Sequence, residues 1–303
     1  MLRQVILAAS RNTRVKTLVA GAPVSRNVVK RFVAGEDVDA AVRATTQLQR
    51  DGLAVSLDHL GEDTTDAAQA TATVDAYVTL LDRLASKGLT AGGRAEVSVK
   101  LTAVGQSIDA AMALDNARTV CRAAKLAGTT VTLDMEDHTT TDSTLEVLHT
   151  LRQDFPGTGA VVQSYLHRTE ADCRALAVAG SRVRLCKGAY REPASVAHQS
   201  ARAVDAAYVR CLEILMAGEG YPMVATHDPA LIARAVALRP PGTFELQLLY
   251  GIRPLEQTRL AAAGQRVRVY VPYGDQWYGY LMRRLAERPA NLAFFLRALA
   301  SRT

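Results

Sequence analysis

Glu96-Val-Ser-Val-Lys100 and Thr130-Val-Thr-Leu-Asp134 are short apolar runs, and the amphipathic stretch from Asp109 to Leu126 lies between them. Short runs rich in Val and Thr predict buried strands, whereas the longer stretch has room for a helix. Gly128 follows that stretch, where the C-cap of a helix favours glycine. The segment therefore predicts a strand, a crossover helix and a second, parallel strand.

The same unit recurs along the chain. Glycines at 88, 180 and 264 close other helical stretches in the same way. Eight strand-like runs are present in all: Ala54–Leu57, Glu96–Lys100, Thr130–Asp134, Ala160–Gln163, Arg182–Cys186, Pro222–Thr226, Phe244–Leu248 and Val267–Val271. Eight βα repeats over some 250 residues fit a closed barrel better than an open sheet. We therefore predict an α/β fold, a (β/α)8 TIM-like barrel with extra N-terminal helices and a C-terminal helix.

The pattern also predicts how the chain is divided. Residues 1–50 are expected to form an N-terminal helical extension packed on the barrel, and residues 51–303 the catalytic (β/α)8 barrel. The segment Asn291 to Arg302, after Pro289, is expected to be the last helix. Since no linker or low-complexity stretch interrupts the chain, we predict a single domain overall.

Composition limits the classes of protein that the chain can represent. Thirty-six basic and 30 acidic residues give a net charge of +6 without a block of like charges, which gives little support to nucleic-acid binding. The four cysteines form no C-x-x-C pair, which is typical of a reducing cytoplasm. No apolar run approaches the roughly 18 residues of a spanning helix, and the N-terminus lacks a signal-peptide pattern. We expect a cytoplasmic protein that is at most peripheral on a membrane.

Polar side chains repeatedly follow the predicted strands. Barrel enzymes carry their reactive groups at the carboxyl ends of the strands, because the βα loops meet there. The polar residues at these ends are Asp58, His59, Lys100, Asp134, Glu136, Asp137, Gln163, Arg184, Lys187, His227, Gln247, Tyr270 and Tyr273. The sequence thus predicts an enzyme with a charged barrel mouth.

Lys100 and Asp134 admit more than one chemistry. A buried ammonium needs a counter-charge, and we expect Asp134 to pair with Lys100 and Arg184. A lysine at a barrel mouth also suits a Schiff-base aldolase, with Lys100 or Lys187 as the nucleophile. Carboxylates near His138 could instead bind a metal, but the neighbouring strand ends supply cations and an amide, so no metal site is predicted.

Two further groups are candidates for ligand binding. Arg184-Leu-Cys-Lys-Gly-Ala-Tyr190 brings two cations and a glycine to one strand end, where the backbone can approach a ligand closely. Tyr280, Arg283, Arg284 and Glu287 fall at i, i+3, i+4 and i+7, near one face of a helix. That face is either an outer, solvated surface or a pair of guanidinium groups held for a carboxylate, with Glu287 fixing their rotamers. Spacing alone leaves both interpretations open.

The sequence contains seven motifs, in the same order, that resemble those of the monofunctional bacterial proline dehydrogenases, which are flavoenzymes. The motifs are Val97-Ser-Val-Lys-Leu-Thr-Ala103, Leu133-Asp-Met-Glu-Asp137, Val162-Gln-Ser-Tyr165, Arg184-Leu-Cys-Lys-Gly-Ala-Tyr190, Ala225-Thr-His-Asp228, Phe244-Glu-Leu-Gln-Leu-Leu-Tyr-Gly-Ile252, and Tyr270-Val-Pro-Tyr-Gly274 with Tyr280-Leu-Met-Arg-Arg-Leu-Ala-Glu287. The resemblance covers nearly the whole barrel. It implies oxidation of L-proline to 1-pyrroline-5-carboxylate, by hydride transfer from C5 to N5 of FAD.

The resemblance also implies roles for individual residues. Asp134 and Arg184 are the active-site pair that it indicates. The substrate-binding residues would be Lys100, Tyr190, Tyr270, Tyr280, Arg283, Arg284 and Glu287. The residues implied for FAD are Met135, Gln163, Lys187, Gly188, Ala189, Thr226 and His227. Since no G-x-G-x-x-G run occurs, barrel loops would have to hold the cofactor.

Partners and substrate preference follow from the same resemblance. Electrons are expected to pass to a membrane quinone, which places the chain at the inner face of the cell membrane, and 1-pyrroline-5-carboxylate dehydrogenase would use the product. Hydroxyproline-oxidising relatives carry a smaller residue at the position of Tyr280, so proline is the expected substrate and hydroxyproline dehydrogenase an alternative. A Schiff-base aldolase is the other alternative.

Overall fold

The computed structural model describes residues 29–62 and 64–287, with side chains up to residue 282. The predicted helix at Asn291 to Arg302 and most of the predicted N-terminal extension lie outside the described residues. The strands are β1 (Ala54–His59), β2 (Ala95–Val99), β3 (Val131–Leu133), β4 (Ala160–Gln163), β5 (Arg182–Cys186), β6 (Tyr221–Ala225), β7 (Glu245–Leu249) and β8 (Val267–Tyr273). Each falls on one of the eight predicted runs.

Nine α-helices have both ends defined between residues 38 and 287, and one follows each strand; residues 29–32 are also helical. The nine helices are α1 (Val38–Arg50), α2 (Ala67–Ser86), α3 (Ala110–Leu126), α4 (Thr141–Asp154), α5 (Thr169–Leu176), α6 (Ala201–Ala217), α7 (Pro229–Leu238), α8 (Pro254–Ala262) and α9 (Trp277–Glu287). Short 3-10 helices occupy Ala91–Gly93 and Thr102–Val104. None of these helices is long and apolar enough to cross a membrane.

Local sequence explains where the helices begin and end. The side chains of Asp37, Asp66, Asp109 and Asp228 accept hydrogen bonds from backbone N–H groups in the first turns of α1, α2, α3 and α7. Such caps satisfy donors that have no partner within the helix. The four predicted C-cap glycines all have positive φ, between 68° and 82°, a backbone conformation that L-residues with a side chain rarely adopt.

The eight strands form one parallel sheet in the order β3-β2-β1-β8-β7-β6-β5-β4. A single parallel bridge, Thr132 to Gly159, joins the two ends of this sheet. Its bonds run from Leu133 N to Gly159 O at 2.9 Å and from Gly159 N to Val131 O at 2.8 Å. The sheet therefore closes into the predicted barrel, and we call this junction the β3–β4 seam.

The two faces of the barrel differ in character. Alternate residues such as Val55, Leu57, Val97 and Val99 are fully buried beneath the helices and belong to one large apolar core. The residues between them point into the barrel, because strand side chains alternate between faces. That interior is polar, whereas bulky apolar side chains usually fill it.

Four charged residues fill the amino-terminal half of the barrel. Glu96 lies 2.6 Å from Arg182, and Glu245 lies 2.7 Å from Arg268. Burial alone would raise the pKa of Glu96, but Arg182, Arg268 and Arg184 outweigh it and lower the pKa to about 2. We call Glu96, Arg182, Glu245 and Arg268 the barrel-floor cluster. It lies directly beneath the carboxyl ends of the strands.

Candidate active site

Asp134, just after β3, is the centre of a buried hydrogen-bond network. One carboxylate oxygen accepts hydrogen bonds from Arg184 Nη1 at 2.6 Å and from Ser98 Oγ at 2.8 Å. The other accepts from Tyr270 Oη at 2.7 Å and lies 3.5 Å from Lys100 Nζ. Burial opposes ionisation, but the two cations and the hydrogen bonds outweigh it, so the pKa of Asp134 is lowered. The carboxyl group is therefore ionised at neutral pH.

Lys100, at the end of β2, has a nearer partner than Asp134. Its Nζ lies 2.7 Å from an oxygen of Asp58, which is fully buried at the end of β1, and 3.3 Å from Tyr270 Oη. Burial lowers the pKa of the ammonium, but the carboxylates of Asp58 and Asp134 raise it above its usual value. A Schiff-base lysine requires a lowered pKa, so this environment disfavours Lys100 as an amine nucleophile.

Arg184 extends from β5 across the barrel interior. Besides Asp134, it donates to Ser98 Oγ at 2.8 Å, to Ser56 Oγ at 3.2 Å and to Gln247 Oε1 at 2.5 Å. These partners belong to β2, β1 and β7. The guanidinium group is thus held on several sides, with only 4% of the residue exposed.

Glu136 and Gln163 connect neighbouring strand ends below the mouth. The carboxylate of Glu136 accepts hydrogen bonds from Thr102 N at 3.1 Å and from Thr102 Oγ1 at 2.5 Å. Burial raises the pKa of Glu136 to about 7 despite these bonds. Gln163 Nε2 donates to the backbone oxygen of Glu136 at 2.7 Å, which ties the end of β4 to the loop after β3. Glu136 is thus a buried structural acceptor.

The loop between β5 and α6 contains three of the predicted cofactor residues. Lys187 Nζ lies 2.5 Å from Asp205, on α6, and 3.7 Å from Asp228, the residue that caps α7. Gly188 has φ of 115°, and a Cβ built there would lie 2.3 Å from the ring of Tyr165. The tight turn therefore requires glycine because of the Tyr165 ring as well as the backbone conformation.

The ends of β6 and β8 supply the remaining residues. Thr226 is buried, and its hydroxyl accepts a hydrogen bond from Asp228 N at 3.1 Å. The Nε2 atom of His227 accepts from Leu249 N at 3.0 Å, so the neutral ring carries its proton on Nδ1. Tyr280 is buried on α9.

The structure brings Lys100, Asp134, Arg184 and Tyr270 into direct contact. The other predicted residues lie at the same end of the barrel. Gln163 is the last residue of β4, and the residues that follow β3, β5 and β6 are Met135, Lys187, Gly188, Ala189, Tyr190, Thr226 and His227. Arg283, Arg284 and Glu287 lie on the backbone of α9, but their side chains lie outside the described residues. The choice between a solvated face and a carboxylate clamp therefore stays a prediction.

Some contacts in the site were not predicted from the sequence. Asp58 and Gln247 appear among the strand-end residues, but nothing in the sequence pairs Asp58 with Lys100 or Gln247 with Arg184. Ser98 gives the clearest available signal, because it falls two residues before Lys100 and must share its face of β2. In the described part of the chain, no three His, Cys, Asp or Glu side chains converge on a metal-binding position.

Comparison with known proteins agrees with this geometry. Residues 41–297 match a sequence model of a family described as proline dehydrogenase. The chain is 38% identical to Proline dehydrogenase 1 of Bacillus subtilis over 99% of both chains. It is 42% identical to Proline dehydrogenase of Deinococcus radiodurans over 90% of both chains.

A solved structure shares the fold. Proline utilization A from Bdellovibrio bacteriovorus, inactivated by N-propargylglycine, superposes with a TM-score of 0.80 at 26% identity. The superposition covers 87% of this chain but only 33% of the length of that larger protein. The barrel, the charged mouth and these matches lead to one conclusion: the chain belongs to the proline dehydrogenase family, a family of oxidoreductases.

Proposed function

We propose that this chain oxidises L-proline to 1-pyrroline-5-carboxylate with FAD as the cofactor. The observation that carries the proposal is the contact between Lys100, Asp134, Arg184 and Tyr270 at the carboxyl end of a barrel of this family. The raised pKa of Lys100 keeps a cation at the mouth, and a cation suits the carboxylate of an amino acid.

The residues implied for FAD fit such a group chemically. Lys187 supplies an ammonium for a diphosphate, and Gly188 makes a turn in which a Cβ has no room. Gln163, Thr226 and His227 add an amide, a hydroxyl and an imidazole at adjacent strand ends, while Met135 and Ala189 add apolar surface. These are hydrogen-bonding and apolar groups suited to a flavin nucleotide held by barrel loops.

When bound, the flavin would supply the acceptor for a hydride from proline C5 and pass the electrons on to a membrane quinone. Lys100, with Arg283 and Arg284, would bind the substrate carboxylate. Tyr190, Tyr270 and Tyr280 would enclose the pyrrolidine ring, and Glu287 would hold the two arginines. These contacts would keep C5 in one orientation, which is the main contribution that positioning makes to such a reaction.

The oxidation must remove one proton besides the hydride. Proline loses a hydride from C5 and a proton from nitrogen, and the C–N bond becomes a double bond. Because the amine must be neutral before the hydride leaves, we expect the rate to rise with pH. Asp134 would remain ionised throughout, because Lys100 and Arg184 lower its pKa against the effect of burial.

Tyr280 supports proline over 4-hydroxyproline as the substrate. Its ring is buried on α9. In this proposal the ring would fill space that a smaller residue would leave for the extra hydroxyl. The aldolase alternative is less well supported, because the pKa of Lys100 is raised and Lys187 is ion-paired with Asp205.

The cellular setting is part of the same proposal. Transfer of electrons to a membrane quinone would place a cytoplasmic protein, peripherally, at the inner face of the cell membrane. A 1-pyrroline-5-carboxylate dehydrogenase would then oxidise the product. Residues 1–50 and the barrel of residues 51–303 would act as one catalytic domain, since α1 packs on α2, β1 and β8.

The test is the visible spectrum of the purified protein, recorded without oxygen before and after addition of L-proline. We expect flavin bands that bleach with L-proline and persist with D-proline. Lys100→Met should retain the bands but need far more proline to bleach, whereas Lys125→Met, a substitution on the outer surface of the barrel, should behave like the wild type. A colourless protein that FAD does not reconstitute, or trapping of a carbonyl substrate by borohydride, would overturn the proposal.

A further inference from the structure

A chain of buried hydrogen bonds leads from the barrel-floor cluster to the active site. Arg268 Nε donates to Glu245 Oε1 at 2.7 Å, and Gln247 Nε2 donates to the same oxygen at 2.6 Å. Gln247 Oε1 then accepts from Arg184 Nε at 2.5 Å. Arg184 in turn holds Asp134 at 2.6 Å. All of these residues are at most 8% exposed, so water does not compete for the bonds.

This series of hydrogen bonds fixes the orientation of the Gln247 side-chain amide. An ionised carboxylate only accepts hydrogen bonds. Burial would raise the pKa of Glu245, but Arg268 outweighs it and lowers the pKa, so Glu245 is an acceptor at neutral pH. The NH2 group of Gln247 must then face Glu245, which turns its oxygen towards Arg184.

That oxygen holds a part of Arg184 that the other partners do not reach. Ser56, Ser98 and Asp134 accept from the two terminal nitrogens, whereas the described partner of Nε is Gln247. A planar guanidinium held only at its terminal nitrogens can still pivot about its partners. Gln247 removes this freedom from the opposite side of the barrel, because it lies on β7 whereas Asp134 follows β3.

We propose that Gln247 is a positioning residue for the reaction: it accepts a hydrogen bond from Arg184 Nε and thereby sets Arg184 and Asp134 in place, with Glu245 fixing the amide. The inference rests on the proposed function, because it assigns Arg184 and Asp134 to the site. Gln247 itself contacts neither substrate nor cofactor in this proposal.

Three single variants separate this role from a general loss of packing. Gln247→Leu removes the acceptor, and Gln247→Glu retains one. Gln49→Leu is the matched control. Gln49 is also a buried glutamine, and its side-chain amide donates a hydrogen bond to Leu89 O at 2.7 Å, but it lies on α1, away from the site.

We expect Gln247→Leu to lower kcat, per bound flavin, by about 10-fold or more, since a displacement of about 1 Å can cost about 100-fold. KM should change by less than about 2-fold, because Lys100 keeps its bond to Asp58. Gln49→Leu should lower the melting temperature and leave kcat as in the wild type. Gln247→Glu should recover most of kcat, because its carboxylate accepts from Nε.

Two additions keep the test decisive. If Gln247→Glu folds poorly beside Glu245, the exchange Glu245→Gln with Gln247→Glu restores the donor and acceptor order and should recover kcat. In ¹⁵N-labelled protein without substrate, the Arg184 Nε–H signal should exchange faster with solvent in Gln247→Leu than in the wild type.

The outcomes distinguish the two proposals. If the wild type does not oxidise proline, the proposed function fails before the variants are compared. If the wild type is active and Gln247→Leu keeps its kcat and its Arg184 signal, the positioning role is wrong. Equal losses of kcat in Gln247→Leu and in the exchanged variant would also overturn the positioning role. Such a result would mean that an oxygen acceptor for Arg184 Nε does not determine kcat.

Discussion

Tyr270 and Tyr273 offer a matched pair of substitutions within one strand. Tyr270 Oη donates to Asp134 at 2.7 Å, whereas the hydroxyl of Tyr273 is buried without a hydrogen-bond partner among the described residues. Substitution by Phe removes one oxygen from each and leaves both rings. The two variants therefore differ in whether a bond to a carboxylate is lost.

The size of the difference can be worked out from this bond. A hydrogen bond to a charged group contributes about 1.5–3 kcal/mol to stability. At about 2.1 cal/mol/K per residue, unfolding 303 residues changes the entropy by about 0.6 kcal/mol/K. Tyr270→Phe should therefore lower the melting temperature by about 2–5 °C, and Tyr273→Phe should leave it unchanged or raise it slightly.

Differential scanning calorimetry of the flavin-loaded protein at pH 7 measures both values. The sign with pH follows from Asp134, whose pKa in the folded protein is lowered from its ordinary 3.8. Stability from such a group is present above 3.8 and is lost as the pH falls through the lowered pKa. The difference in melting temperature between Tyr270→Phe and the wild type should therefore become smaller as the pH falls below 3.8. Equal melting temperatures for the two variants at pH 7 would refute the reasoning.

Three other predictions concern separate parts of the site. Tyr280→Ser should raise the rate on 4-hydroxyproline relative to proline, and an unchanged ratio of kcat/KM would contradict the assignment of Tyr280. Glu136 has a pKa raised by burial to about 7, so the folded protein retains its proton where the unfolded chain loses it. The stability of the wild type relative to Glu136→Gln should therefore fall by about 2–3 kcal/mol from pH 4.5 to pH 8, and parallel stability curves would count against this. Gly188→Ala should cost about 1–3 kcal/mol more in urea unfolding than Gly180→Ala, because both have positive φ but only Gly188 faces the Tyr165 ring.

The architecture could be predicted from the sequence because each strand carries its own local signal. Val97 and Val99 alternate with polar residues, and Gly128 ends the following helix with φ of 71°. Such signals need no knowledge of distant parts of the chain, so eight repeats of them were enough to predict the barrel.

The pairing of charges inside the barrel could not be predicted in the same way. Glu96 and Arg182 are 86 residues apart, and their contact depends on closure of the sheet and on its register. A charge within an apolar strand shows that a counter-charge is required, but not which strand supplies it. For the same reason the sequence assigned Lys100 to Asp134, whereas the nearer carboxylate belongs to Asp58.

The β3–β4 seam has a consequence for the mechanical behaviour of the barrel. One residue pair closes the cylinder there, and a Cβ at Gly159 would lie 2.6 Å from the hydroxyl of Thr132, so the closure depends on a backbone without a side chain. Local opening begins where the fewest backbone bonds must break. The amides of Leu133 and Gly159 should therefore exchange with deuterium before those of the other strands. Asp134 is the next residue after the β3–β4 seam. The rate at which the seam opens should therefore limit how long Asp134 stays in contact with Arg184 and Tyr270.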